Sequence, residues 1–163
     1  MPATYFLDTS ALLARYLRRA PGHSWVNAIC APEQRNAVCI AVITQVEMSS
    51  AINQLTWGKV LRQKQRNEAP TLFWSQIEEG QYRIIPVSEA IVVRAAMLCN
   101  THPLRGYDAV QLACALAVRD AARAAAVEFQ ISSQEPRFVS EDKRLLNAAA
   151  AEGFAIENPL DHP

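Results

Sequence analysis

The sequence predicts an α/β fold in which a mainly parallel sheet is covered by helices on both faces. Short continuous apolar runs alternate along the whole chain with stretches of helical period. The first run, Tyr5-Phe6-Leu7, passes straight into Asp8-Thr9-Ser10 and then into an apolar stretch of helical character. That is a buried strand delivering a carboxylate at its end, followed by a capped helix. The chain is also long enough, at 163 residues with 50% hydrophobic content, to bury a substantial core as one domain spanning residues 1–163.

Taken in order, a helix is expected from Ser10 to about Arg19, where Pro21-Gly22 stops it, and a second from Ser24 to Cys30. Ala37–Ala41 reads as a parallel strand, and Thr44 opens a helix carrying Val46, Ser50, Ala51 and Leu55. A basic stretch from Lys59 to Arg66 follows, and Pro70 is expected to break it before a helix from about Thr71 to Glu79. Tyr82–Pro86 is a strand, and Ser88 caps a helix that ends by His102-Pro103. Gly106 to about Ala126 is a long alanine-rich helix. Val127–Ile131 alternates and is either a helix extension or an edge strand. Arg137–Ser140 is a strand, Asp142–Glu152 a helix closed by Gly153, and Phe154–Ile156 a last strand. Such alternation implies a parallel sheet with two covered faces.

Composition narrows the function classes. Lys+Arg and Asp+Glu balance at 16 each, so any nucleic-acid contact must rest on a local patch. Cys30, Cys39, Cys99 and Cys114 form no C-x-x-C pair and sit among apolar residues, as buried reduced thiols do. Asp8 interrupts the early apolar run, against a secretory signal, and nothing approaches the roughly 18 apolar residues of a membrane span. A cytoplasmic protein is expected.

The acids break the pattern. Asp108 continues the buried stripe of Leu112, Ala115 and Leu116, and Asp142 that of Leu145, Leu146 and Ala149. Glu47 lies four residues from both Ile43 and Ala51. Each admits a purely structural reading. Thr44-x-x-Glu47 fits a capping box, and Asp8, Asp108 and Asp142 fit first-turn acids. Together they converge on one sheet edge. Carboxylates about 5 Å apart repel by roughly 3 kcal/mol per pair at an effective dielectric of 20. A divalent cation with hard oxygen ligands, Mg²⁺ or Mn²⁺, is the natural neutraliser. His23, His102 and His162 are scattered beside Pro or Gly as loop residues, so soft ligands are lacking.

Leu7-Asp8-Thr9-Ser10-Ala11-Leu12, Val46-Glu47-Met48, Arg105-Gly106-Tyr107-Asp108-Ala109-Val110-Gln111-Leu112-Ala113 and Phe138-Val139-Ser140-Glu141-Asp142-Lys143-Arg144-Leu145 resemble the PIN-domain family, above all the VapC-type toxins of toxin–antitoxin pairs. The match spans nearly the whole chain in the family's order. The resemblance implies a three-layer α/β/α sandwich around a four- to five-stranded sheet. It implies a Mg²⁺-dependent endoribonuclease, with Mn²⁺ as substitute, acting as a homodimer inhibited by a small cognate antitoxin. By position, Asp8, Glu47, Asp108 and Asp142 match the family's acidic quartet, both catalytic and metal-binding. Ser10 and Ser140 match its supporting hydroxyl residues. Arg119–Pro136 and the region around Lys59–Pro70 are longer than the family usually shows, and Glu141 beside Asp142 leaves two candidates for the fourth acid.

Arg105, three residues before Asp108, is the candidate for contacting an RNA phosphate. The runs Lys59, Arg62, Lys64, Arg66 and Arg15, Arg18, Arg19 read first as solvated helix faces. Trp25, Trp57 and Trp74 read as core or dimer-interface residues. A haloacid-dehalogenase-type phosphatase needs an aspartate where Ser10 stands, and a receiver domain needs an acidic pair that is missing. Two alternatives stay open: a catalytically silent module that binds a partner or RNA, and a DNA-cleaving nuclease.

Overall fold

A computed structural model describes residues 2–58, 63–132 and 134–162, the side chains of 63–67 excepted. Five strands, β1 (Thr4–Leu7), β2 (Ala37–Ala41), β3 (Arg83–Ile85), β4 (Arg137–Val139) and β5 (Ile156–Glu157), form one sheet in the order β3-β2-β1-β4-β5. Every pairing is parallel, with Phe6 opposite Cys39 on one side and Phe138 on the other. Their carboxyl ends therefore lie along a single edge. The chain builds outward from β1 through β2 to β3, then returns to the other side of β1 for β4. The gap between β1 and β4 is thus the place where strand order reverses, and open α/β sheets bind ligands at such a point.

The described helices are α1 (Thr9–Ala14), α2 (His23–Cys30), α3 (Thr44–Trp57), α4 (Gln63–Glu78), α5 (Glu89–Thr101), α6 (Gly106–Phe129) and α7 (Lys143–Ala151). Alternation along the strands sorts them into two layers. Phe6, Cys39, Ala41 and Phe138 pack against Leu98 of α5, Leu112 of α6 and Leu145 of α7. Leu7, Val38, Ile40 and Val139 face Leu12 of α1, Val26 of α2, Met48 of α3 and Phe73 of α4. The result is the expected α/β/α sandwich.

Three local expectations fail for tertiary reasons. The first helix ends at Ala14 and not near Arg19, because α2 supplies the caps: His23 Nδ1 bonds the Ala14 carbonyl at 2.9 Å and Asn27 Nδ2 donates to that of Arg15. Arg15 is buried against Tyr82 and Gln81, so it does not belong to a solvated basic face. Pro70 lies inside α4 and does not end it. Burial of Ala69 and Phe73, with Tyr16 donating to Gln76 Oε1 at 2.6 Å, outweighs the local defect. The choice left open for residues 127–131 falls to the helix extension: the long helix runs to Phe129, and Gln130 turns the chain through a left-handed conformation.

Other corrections concern single side chains. Cys30, Cys39 and Cys114 are buried free thiols, whereas Cys99 is exposed because it lies off the Ile91-Ala95-Leu98 stripe of α5. Trp57 and Trp74 are exposed and so are not core residues of the chain, whereas Trp25 packs between Tyr5 and His162. Of the histidines, His102 and His162 lie outside helices and strands as expected, His102 Nε2 being 2.8 Å from Glu152 and the His162 ring stacking on Trp25 at 4.1 Å, whereas His23 opens α2. Lys59 and Arg62, and the side chains of Lys64 and Arg66, fall outside the described residues. Among described residues no helix is long and apolar enough to cross a membrane.

The turn Pro159–Asp161 closes over the start of α2, where Gly22 adopts φ +75°. A Cβ there would meet the Pro159 carbonyl oxygen at 2.4 Å. Gly22→Ala is therefore expected to lower stability by on the order of 1–3 kcal/mol, read as a fall in thermal midpoint. An unchanged midpoint would contradict this packing.

Candidate active site

Asp8 follows the last residue of β1, and its backbone N–H continues the ladder to the Val139 carbonyl at 3.1 Å. This fixes the carboxylate at the β1–β4 gap, where it is only 6% exposed. It accepts from Ala11 N–H at 2.9 Å as the N-cap of α1, one position before the first turn in which the purely structural reading puts it. Two hydroxyls add to it. Ser10 donates to Oδ1 at 2.8 Å, and Ser140, just beyond β4, donates to Oδ2 at 2.9 Å. Both serines also accept backbone N–H groups of the turn into α7, Ser10 from Glu141 and Ser140 from Asp142. The two predicted supporting residues thereby lock that turn against the first acid.

Burial pushes Asp8 up to about 7. The Ala11 amide and the two hydroxyls oppose the shift, and the charge of Glu47 adds to it.

Glu47, in the first turn of α3, is not part of a capping box. Ile43 holds the N-cap position with helical angles, and the Thr44 hydroxyl accepts from Gln111 instead. Glu47 Oε2 takes one bond from Thr9 Oγ1 at 2.6 Å and another from Gln111 Nε2 at 2.7 Å. Thr9 and Gln111 were not among the residues singled out from sequence, and Thr44 was singled out only as a helix cap. The usable signal was the one that marked the acids: Gln111 interrupts the apolar run Val110–Leu116.

Asp108 stands one turn before Gln111 on α6 and is half-buried. Burial raises its pKa, with Asp142 adding and the Arg105 backbone amide and guanidinium pulling back. Arg105 itself is the exposed N-cap residue of α6. Asp142 caps α7 by accepting from Arg144 and Leu145 amides. Of the two candidates for the fourth acid, Asp142 lines the site cavity and Glu141 is not among its lining residues.

Asp8, Glu47, Asp108 and Asp142 line one cavity of about 510 Å³ at the carboxyl edge of the sheet. Leu13, Val46 and Tyr107 form an apolar part of its wall, and Tyr107 is 61% exposed. Among the described residues no three acid, histidine or cysteine side chains approach closely enough to ring an ion as they stand. The donor set nonetheless fits a hard divalent cation. Every candidate ligand is a carboxylate oxygen, and the most buried of them, Asp8, has hydroxyl and amide donors but, among the described residues, no lysine or arginine against it.

The Asp8 shift sets a pH dependence for the metal-free protein. The folded state keeps the Asp8 proton up to about pH 7, whereas the unfolded chain releases it near 3.8. The native state thus binds more protons between those values, and stability falls as pH rises through that window, by at most on the order of 4 kcal/mol. Asp8→Asn is expected to flatten that part of the curve and to be the more stable form at pH 8 in chelator. Parallel stability–pH curves for the two proteins would contradict the burial argument.

With the geometry established, comparison with known proteins gives a consistent result. Several solved structures share the fold. They include FitAcB from Neisseria gonorrhoeae, at 18% identity with TM-score 0.53, covering 95% of this chain and 97% of that one. VapBC2 from Rickettsia felis bound to a DNA fragment from their promoter matches at 14% identity with TM-score 0.57, covering 95% and 98%. A toxin–antitoxin complex from Klebsiella pneumoniae matches at 14% identity with TM-score 0.52, covering 95% and 97%. No curated protein matches. The PIN domain family model matches residues 5–151, a span that takes in all four acids. The chain belongs to the PIN-domain family.

Proposed function

We propose that this chain is a Mg²⁺-dependent endoribonuclease, with Mn²⁺ as substitute, and the VapC-type toxin of a toxin–antitoxin pair. The observation that carries the reading is the meeting of four acids from four separate segments in one cavity at the strand-order reversal. Membership of the PIN family supports a nuclease. The likeness to toxin–antitoxin complexes supports a small cognate antitoxin as partner, and the proposal takes the active form to be a homodimer in the cytoplasm.

Asp8 and Asp108 would be the direct ligands of the ion, Glu47 would bind it or orient the attacking water, and Asp142 would complete a second, weaker site. A bound divalent ion lowers the pKa of water and stabilises charge on the phosphate and leaving oxygen. The rest falls to the protein. Ser10 and Ser140 keep both Asp8 oxygens in one orientation. Arg105, at the exposed start of α6 three residues before Asp108, would meet a phosphate of the RNA strand. The apolar wall of Leu13, Val46 and Tyr107 suits a sugar or base next to the scissile bond.

Asp8→Asn or Asp108→Asn is expected to reduce Mn²⁺-dependent RNA cleavage by more than the ~100-fold that loss of an outer partner costs, and to relieve growth arrest on expression. Metal-free thermal stability should be unchanged or higher, since like-charge repulsion is removed. Ser10→Ala should lose about 10–100-fold. Equal cleavage by wild type and both aspartate variants, or cleavage that survives chelation, would reject the assignment. A substrate panel that includes single-stranded and flap DNA fixes the nucleic acid.

A further inference from the structure

Gln111 is buried more deeply than any of the four acids, at 2% exposure. Its Nε2 faces three acceptors: Glu47 Oε2 at 2.7 Å, Thr44 Oγ1 at 3.0 Å and Thr9 Oγ1 at 3.2 Å. An amide has two protons to give, so the two nearer acceptors take them. Thr9 in turn donates its own proton to Glu47 Oε2 at 2.6 Å. The reverse orientation of the amide would set carbonyl oxygen against carboxylate, so the charge of Glu47 fixes which way Gln111 points. In that orientation Gln111 Oε1 is buried without a partner among the described residues. A buried acceptor with no donor is costly. A residue selected for packing alone would be an apolar side chain of the same volume, which carries no such cost.

We propose that Gln111 is a positioning residue for Glu47. With Thr9 it ties one carboxylate oxygen, Oε2, to the helix that carries Asp108 and to the turn that carries Asp8. The other oxygen, Oε1, has no donor among the described residues and is left for the ion or the attacking water. The inference rests on reading the acids as the ion-binding centre of a nuclease.

The experiment is a double-mutant cycle with Gln111→Leu, a near-isosteric change, made in wild type and in Glu47→Gln. Mn²⁺ affinity is measured by titration calorimetry and RNA cleavage by steady-state kinetics. In the wild-type background Gln111→Leu is expected to weaken Mn²⁺ binding and lower kcat by about 10–100-fold, with KM for RNA little changed. In the Glu47→Gln background it should cost nothing further in either measurement. Wild-type affinity and rate in Gln111→Leu would overturn the proposal, as would the same loss in both backgrounds, which marks a role in packing only. If Gln111→Leu fails to fold, the half-buried Thr9→Val is put through the same cycle and decides by the same criteria. Wild-type protein that binds Mn²⁺ but leaves RNA intact would sink the nuclease reading while the affinity cycle still judges the positioning role; wild-type protein that binds no Mn²⁺ would overturn both.

Discussion

A carboxylate held at the end of a central β-strand, 6% exposed and with no cationic side chain bonded to it among the described residues, is the constraint around which this structure is arranged. Asp8 is kept there by the ladder of β1 to β4 and by three donors, and those donors only partly offset the loss of water. Ser10 and Ser140 serve the acid and the following turn at once, so the position of Asp142 is tied to the position of Asp8. Changing the first acid therefore changes the frame of the fourth.

The other two acids reach the same cavity by different means. Asp108 gets there through helix period alone, as the N-terminal continuation of a stripe that buries Leu112 and Leu116. Glu47 is steered by neutral donors, Thr9 and Gln111, with no lysine or arginine on it among the described residues. Neutral donors fix geometry while leaving the carboxylate its charge. An arginine would fix geometry and cancel the charge that a cation needs. The site is in this sense built to keep carboxylates out of water, which raises Asp8 and Asp108, and the neighbouring acids Glu47 and Asp142 add to that rise.

Much of this was legible in the chain because strand and helix periods are local. The run Ala37–Ala41 appears as β2 with the same ends, and Ser88 caps α5 through the Ile91 amide. Acids on buried stripes pointed to the cavity before any coordinates. The failures share one origin, contacts between residues far apart in sequence. Pro70 stays helical because Phe73 is buried against Tyr16, and the first helix stops early because α2 caps it. The capping box at Thr44 fails because Gln111, 67 positions away, takes the hydroxyl and shares in Glu47. No local pattern encodes such a partner.

The central claim is that the four acids share a divalent cation, and the most direct test is anomalous diffraction from crystals soaked in Mn²⁺. The account predicts a Mn²⁺ peak inside the cavity, within coordination distance of Asp8 and at least one of Glu47, Asp108 and Asp142. A cavity empty of Mn²⁺ at saturating concentration, or a peak bound only elsewhere on the surface, would contradict it.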